Sequence, residues 1–311
     1  MIHNYGHGGG GMTLSWGSSH LAVSMAGDLA GRSCAVIGGG VMGLSTARLL
    51  QLRGAKVTLY AAAFPPETTS DRSGAQWWPF SVVDPQRRTP EFVAQYIEAA
   101  NYSFRRFQGL VGAEWGVKWV PNYYLSDDTP HNDWIGGPGG VLRNLQVGFQ
   151  DFGPGEHVFP ANYARRFYTM MIEPQTYLRT LLREVQAAGA QIQVRQFGSR
   201  EELASLAETV VFNCTGLAAA ELFGDMELIP IRGQLTVLLP QAEVNYNLIS
   251  GPLYMFPRSD GIVLGGTYEK GRTEAIPDLA AKQRILQAHR VVFEKMRENQ
   301  TKMGSSEQAS R

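Results

Sequence analysis

Two cysteines in 311 residues are too few for a disulfide scaffold. Cys34 and Cys214 each sit in an apolar, strand-like stretch, which predicts buried free thiols. Charge of one sign is lacking as well. Lys plus Arg and Asp plus Glu both number 28, so no basic surface for nucleic acid is expected. The apolar runs are short, such as VVF at 210–212 and LTVLL at 235–239. A membrane-spanning helix needs roughly 20 apolar residues, so no membrane partner is expected. The first residues lack the charged start and apolar core of a secretory leader, and the expected location is cytoplasmic. No metal site is expected. His3 and His7 stand four apart, but the glycines around them oppose the helix that spacing would need. Neither a pair of carboxylates nor a Ser–His–Asp set suggests itself for acid–base or nucleophilic chemistry.

What the chain does have is glycine, 35 residues of it. The strongest local signal is CAVIGGGVMGLSTARLLQLRGAKVTLY. Cys34 to Ile37 reads as a strand. Gly38, Gly40 and Gly43 then give G-x-G-x-x-G, and Val41, Leu44, Ala47 and Leu50 fall on one helical face. Gly54 ends the helix and Lys56 to Tyr60 reads as a second strand. This βαβ pattern predicts a dinucleotide site. Gly38 permits the tight turn, Gly40 lets backbone approach a pyrophosphate, and Gly43 lets helix and strand pack closely. The helix start at Val41 offers unpaired N–H groups to phosphate. An acidic residue to bind the adenosine ribose would end the second strand, yet the chain reads Tyr60-Ala61-Ala62-Ala63.

From here the sequence resembles the D-amino-acid oxidase family of flavoproteins over most of its length. FPPETTSDRSGAQWWPF at 64–80 is similar to that family's Thr-rich loop and following turn. The resemblance places Thr68, Thr69 and Ser70 at the flavin pyrophosphate, and the backbone of Gly74, Ala75 and Gln76 along the flavin ring. VVFNCTGLAAAELFG at 210–224 places Thr215 at the flavin-contacting end of a strand. In SGPLYMFPRSDGIVLGGTYEKG at 250–271, Tyr254 falls on the tyrosine whose hydroxyl binds the substrate carboxylate. Read without the family, the 64–80 stretch is a polar turn and Tyr254 an ordinary strand tyrosine.

HNYGHGGGGMTLSWG at 3–17 also resembles the family, but at the family's other end. Gly8, Gly9, Gly10, Gly11, Met12 and Thr13 match backbone that faces the flavin ring and the substrate, with Gly9 toward the substrate amine. The family's C-terminal piece therefore comes first here, as in a circular permutation. A helix over about 14–29 would run through Ala30-Gly31-Arg32-Ser33 into the first strand. A join of two gene fragments would give the same order. His7 is expected to supply loop hydrogen bonds rather than acid–base chemistry. The family's G-x-R-P segment, whose arginine pairs with the substrate carboxylate, occurs nowhere in the 311 residues. Arg258 and Arg290 are the substitutes considered, and both are expected at the surface.

The expected fold is α/β, a Rossmann-like FAD-binding domain with an interleaved α+β substrate domain. The expected boundaries are 1–84 and 163–235 for the FAD domain, and 85–162 and 236–278 for the substrate domain. A helix and a disordered tail are expected over 279–311. The resemblance implies bound FAD and oxidation of a D-amino acid by dioxygen to an imino acid, with hydrogen peroxide formed. A flavin-binding remnant without turnover, an amine or N-methyl-amino-acid oxidase and an NAD-dependent dehydrogenase are the alternatives. Oligomeric state and the identity of the D-amino acid are not legible.

Overall fold

The computed structural model describes residues 1–130 and 134–309. The chain divides into two compact units, residues 1–118 with 172–229 and residues 119–171 with 230–311. It opens with a short strand, β1 (Ile2–His3), then α1 (Gly11–Ser24), β2 (Ser33–Ile37), α2 (Val41–Leu52), β3 (Lys56–Ala61) and α3 (Pro90–Gln108). Strands β4 (Val117–Ser126), β5 (Val147–Phe152) and β6 (Tyr163–Ile172) follow. The chain then makes α4 (Pro174–Ala187), β7 (Gln191–Val194), α5 (Arg200–Ala204), β8 (Val210–Asn213) and α6 (Ala218–Phe223). It closes with β9 (Ile231–Arg232), β10 (Thr236–Leu238), β11 (Asn247–Ser250), β12 (Leu253–Arg258), β13 (Gly261–Gly265), β14 (Glu269–Lys270) and α7 (Leu279–Ala309).

The first unit is built on a five-stranded sheet of order β1-β8-β2-β3-β7, and every pairing in it is parallel. Its inner strands β8, β2 and β3 are short and largely apolar, because helices cover the faces of such sheets. Val36, Leu44, Ala47, Leu50 and Leu59 are fully buried between β2, β3 and α2. Helix α1 packs on both α2 and α3. Its contact with α3 turns on Gly17, where a Cβ would lie 1.9 Å from the Ala99 carbonyl oxygen, and whose N–H donates to Ser103 Oγ at 2.8 Å. That contact places residues 90–108 in the first unit, whereas the sequence boundary at 84 assigned them to the second. The 163–171 stretch goes the other way, because β6 pairs antiparallel with β5.

The second unit carries a mixed seven-stranded sheet of order β10-β13-β12-β11-β4-β6-β5. Leu125, Leu248, Met255, Ile262 and Leu264 form one apolar face of it, with Ile285 and Met296 of α7 in the same cluster. Helix α7 extends to Ala309, through the part of 279–311 where a disordered tail was expected. The ENQTKM stretch has no apolar alternation, but Glu, Gln, Lys and Met are all good helix formers and can extend a helix already nucleated by packing. Among the described residues, no helix is long and apolar enough to cross a membrane.

Candidate functional site

Parallel pairing fixes where the predicted cofactor residues lie. Strands β1, β8, β2 and β3 all end on the same edge of the sheet. The segments that follow them carry Gly8–Thr13, Thr215, Gly38–Gly43 and Thr68–Ser70. Ligands of open parallel sheets bind at this carboxyl edge.

The turn after β2 is tight for two steric reasons. Gly38 has φ +121°, and a Cβ there would lie 2.3 Å from the Cys214 carbonyl oxygen after β8. A Cβ on Gly43 would lie 1.8 Å from the Gly38 carbonyl oxygen, so α2 can sit this close to β2 only without a side chain at that position. Ser70 reaches the start of α2, where its Oγ accepts from the Val41 N–H at 3.0 Å. Thr68 is occupied otherwise: both its N–H and its hydroxyl donate to Asp71 Oδ2, at 3.0 and 2.6 Å. This capping turn follows a T-x-x-D signature that is legible in the sequence. Thr69 is exposed. The Thr215 hydroxyl donates to Asn213 Oδ1 at 2.8 Å, which turns the chain sharply off β8.

The N-terminal glycines form a 3-10 turn, Gly8–Gly10, that leads straight into α1. The short strand β1 precedes them: Ile2 and His3 pair with Phe212 and Asn213. The turn rests on the loop after Trp78. The Gly9 N–H donates to the Ser81 carbonyl at 3.1 Å, and Gly10 lies against Val82. Ser81 itself has φ +56°, and no sequence signal announces that role. The N-cap positions of α1 and α2 are Gly10 and Gly40, which bring no capping side chain of their own, and neither first turn holds an acidic residue. Two positive dipole ends therefore face the same edge, where an anion is favoured.

A buried polar network anchors this segment. Asn4 Nδ2 donates to Ser19 Oγ and Thr46 Oγ1, both at 3.1 Å, tying the N-terminus to α1 and α2. Ser18 gives its single hydroxyl proton to Asn4 Oδ1 at 2.7 Å, so at 2.5 Å it must accept from His7 Nε2, which fixes the His7 tautomer. Desolvation pushes the His7 pKa down to about 4, so the ring is neutral at pH 7. His7 therefore supplies a hydrogen bond, as expected of it.

The stretch from Ser70 to Ser81 joins the α2 end of the site to the α1 end. Ala75, at φ +60°, makes its bend, and its carbonyl accepts from the Ile172 N–H at 3.0 Å. Gln76 is 8 % exposed, and neither Nε2 nor Oε1, both closed to solvent, has a hydrogen-bond partner among the described residues. Each buried unpaired donor or acceptor costs about 1–3 kcal/mol. The side-chain-free turn after β2 and the two helix starts that follow Gly10 and Gly40 fit a polar dinucleotide cofactor.

These features agree with the comparisons. Residues 33–305 match the family model DAO, FAD dependent oxidoreductase. The chain belongs to this family of FAD-dependent oxidoreductases. It is 34 % identical over 257 residues to a D-amino-acid oxidase of Rubrobacter xylanophilus, covering 81 % of this chain and 74 % of that one. It is 29 % identical over 258 residues to the D-aspartate oxidase of Homo sapiens, covering 81 % and 73 %. The fold is similar to that of glycine oxidase from Geobacillus kaustophilus, with TM-score 0.64, 15 % identity, and coverage of 86 % of this chain and 80 % of that one. As a family member the chain uses FAD. Residues 1–32 lie outside the matched range, yet they pair with β8 and bond to α2. Ala62 is exposed and carries no carboxylate for the FAD ribose.

In the second unit, the Tyr254 ring stacks on Phe256 (centroids 4.9 Å apart) and lies over Gly265, where a Cβ would fall 1.8 Å from Cζ. Burial raises the Tyr254 pKa, so the phenol keeps its proton and remains a donor. His289 of α7 braces this strand with Nε2 3.2 Å from the Tyr254 carbonyl oxygen. Arg258 is not at the surface, as the sequence suggested. It is 8 % exposed and holds Asp260 through Nε at 2.7 Å and through its second nitrogen. The partner lies only two residues away, across the β12–β13 turn. Arg290 is exposed on α7.

Proposed function

We propose that this chain catalyses the oxidative deamination of D-amino acids. The two-electron loss at the α-carbon gives an imino acid, which water converts to the 2-oxo acid and ammonia. Bound FAD supplies the two-electron acceptor, and dioxygen takes those electrons on to hydrogen peroxide. The chain's own residues bind and orient. Gly38, Gly40, Val41 and Gly43 with Ser70 and Thr215 hold the dinucleotide, with Thr68 and Thr69 in the same loop. Gly74, Ala75 and Gln76 on one side, and Gly8 to Thr13 on the other, flank the ring. The Tyr254 hydroxyl donates to the substrate carboxylate, a charge-assisted bond. The Gly9 backbone faces the substrate amine, and the N-terminal end of α1 favours negative charge. We read the segment order as a circular permutation of the family pattern, supported by the placement of β1 beside β8.

The observation that carries this reading is the 257-residue similarity to a D-amino-acid oxidase. One observation favours a second reading, flavin binding without turnover: Arg258 is committed to Asp260, and no G-x-R-P segment supplies another arginine. The test is anaerobic addition of D-amino acids, with their L-enantiomers as control, to the FAD-loaded protein. Bleaching of the flavin bands by D-enantiomers alone, with peroxide formed on admitting air, supports the oxidase. Flavin bands unchanged by every D-amino acid in the panel would sink it in favour of the second reading.

A further inference from the structure

A dinucleotide-binding strand of this type ends in a carboxylate that accepts from the ribose hydroxyls of the adenosine. Here β3 ends at Ala61, and Ala62 follows it. The glycine turn lies against this stretch. A Cβ on Gly39 would stand 2.3 Å from the Ala63 carbonyl oxygen and 3.0 Å from Ala61 Cβ. The strand end is therefore in place for the ribose, but without the group that would hold it.

The neighbouring strand supplies a different group. Strand β7 pairs parallel with β3, Tyr60 opposite Gln193 and Ala61 opposite Val194. The Arg195 N–H donates to the Ala61 carbonyl at 2.9 Å, which carries the ladder one residue further. In that register Arg195 stands beside Ala62, and partners in a ladder share a face of the sheet. The rings agree on the face. Tyr60, two residues before Ala62, meets Phe197 edge-on with centroids 5.6 Å apart, and the Arg195 guanidinium lies over Phe197 at 4.4 Å.

This guanidinium is open to a ligand. The Arg195 side chain is 42 % exposed, and among the described residues no acceptor lies within hydrogen-bond distance of it. Its ion-pair partner Glu202 keeps Oε2 3.9 Å away and is itself 47 % exposed. Exposed pairs of this kind contribute little and exchange readily for a better anion. The chemistry of the strand end is thus inverted. A carboxylate accepts from ribose hydroxyls and repels phosphate. A guanidinium donates to ribose oxygens and binds phosphate with two parallel bonds.

We propose that Arg195 holds the adenosine ribose of the cofactor from β7, and that this end of the site takes a 2′-phosphorylated adenosine more tightly than one with a free 2′-hydroxyl. This rests on the reading that Gly38 to Gly43 hold the dinucleotide.

The experiment titrates the full chain, freed of FAD, with FAD, FMN, AMP and 2′-phospho-AMP by calorimetry, beside the variants Arg195→Met and Ala62→Glu. The two adenosine nucleotides differ only in the 2′-phosphate, and FMN has no adenosine. Wild-type protein should bind 2′-phospho-AMP about tenfold or more tighter than AMP, by an advantage that shrinks as salt rises. Arg195→Met should erase that advantage and weaken FAD, with FMN affinity unchanged. A variant that failed to fold would lose FMN as well, so the unchanged FMN affinity separates the two. Ala62→Glu sets a carboxylate beside the guanidinium and should erase the advantage too. The proposal is overturned if 2′-phospho-AMP binds wild-type protein no tighter than AMP, or if its advantage survives in Arg195→Met. Should wild-type protein bind FAD and FMN but neither adenosine nucleotide, or should these fail to compete with FAD, the underlying reading of the dinucleotide site falls instead.

Discussion

Gly43→Ala sets two opposing effects against each other, and the structure decides the sign. Residue 43 lies inside α2, where alanine is favoured over glycine by about 1 kcal/mol in an unencumbered helix. The added Cβ, however, would stand 1.8 Å from the Gly38 carbonyl oxygen, while ordinary contact begins at 3.4 Å. The helix or the Gly38 peptide must therefore move by about 1.6 Å. Neither can move freely. The Gly38 N–H donates to the Tyr60 carbonyl at 2.7 Å, and α2 presents Leu44, Ala47 and Leu50 to a fully packed core. Overpacking of this kind costs about 1–3 kcal/mol, more where the clash is backbone on backbone. The net expectation for the apoprotein is a loss of about 2 kcal/mol, read as a lower urea midpoint with an unchanged slope. Gly11→Ala is the companion variant. Its Cβ would meet nothing nearer than His7 Cβ at 4.0 Å, so apoprotein stability should stay within about 0.5 kcal/mol. Gly43→Ala should also weaken FAD at least tenfold, because the α2 amides shift away from the phosphates. Apoproteins of equal stability for the two variants would refute the close-approach argument at Gly43.

Three further outcomes are expected. Tyr254→Phe should reduce kcat/KM for D-amino acids by roughly 10- to 100-fold, the worth of one hydrogen bond to a charge, with FAD affinity unchanged; unchanged kcat/KM removes Tyr254 from the carboxylate. The folded-state pKa of His7, about 4, lies below the unfolded value of 6.5, so the unfolded chain binds more protons between those values. Its contribution to stability is present above pH 6.5 and lost as pH falls towards 4, up to ~3 kcal/mol in all. His7→Gln should flatten this part of the pH–stability curve, and an unaltered slope would show the ring is solvated. In the second unit, Asn122 and Asn247 stand directly opposite each other on β4 and β11, fully buried, with all four amide atoms unpaired among the described residues. Replacing both with leucine should leave unfolding free energy unchanged or raised, whereas a loss above about 2 kcal/mol would mean the amides hold an ordered water or ligand.

The parts legible in the sequence are those encoded within a few residues. G-x-G-x-x-G between two short apolar runs announces a turn, a helix start and a close contact together, and Gly38 and Gly43 sit as that spacing implies. Buried thiols were legible for the same reason, from the apolar residues around Cys34 and Cys214. What was not legible depends on pairs far apart. Nothing near Gly17 says that it meets Ala99, so the allegiance of residues 90–108 came out only in the packing. Arg258 looked like a surface residue because its type usually is, and only the hairpin geometry brings Asp260 round to it. Gln76 is the sharpest case. Its sequence context marks a turn, while the burial of its unpaired carboxamide is visible only once every neighbour is known.

If the segment order is the permutation proposed above, the position of its joint would leave the cofactor edge untouched. In a parallel sheet the strands start at one edge and end at the other, and the ligand takes the end where they stop. The link from α1 to β2 runs through Ala30 and Gly31 at the opposite edge, where β2 and β3 begin. Its bonds are local to that edge: the Gly31 N–H donates to the Gly54 carbonyl at 2.9 Å, and the Lys56 N–H to the Arg32 carbonyl at 2.8 Å. Gly31, with φ +71° and no atom within 4 Å of its would-be Cβ, makes the reversal without crowding the sheet. Exposed connections of this kind tolerate rearrangement because few contacts cross them. The N-terminal segment is held instead by β1 on β8 and by Asn4 between Ser19 and Thr46. The glycine turn at 8–10 is thus positioned by contacts on its own side of the sheet, and lengthening the 30–32 link by a few residues should leave FAD affinity as it is. A weakened affinity in such an insertion variant would show that the link itself places α1 against α2.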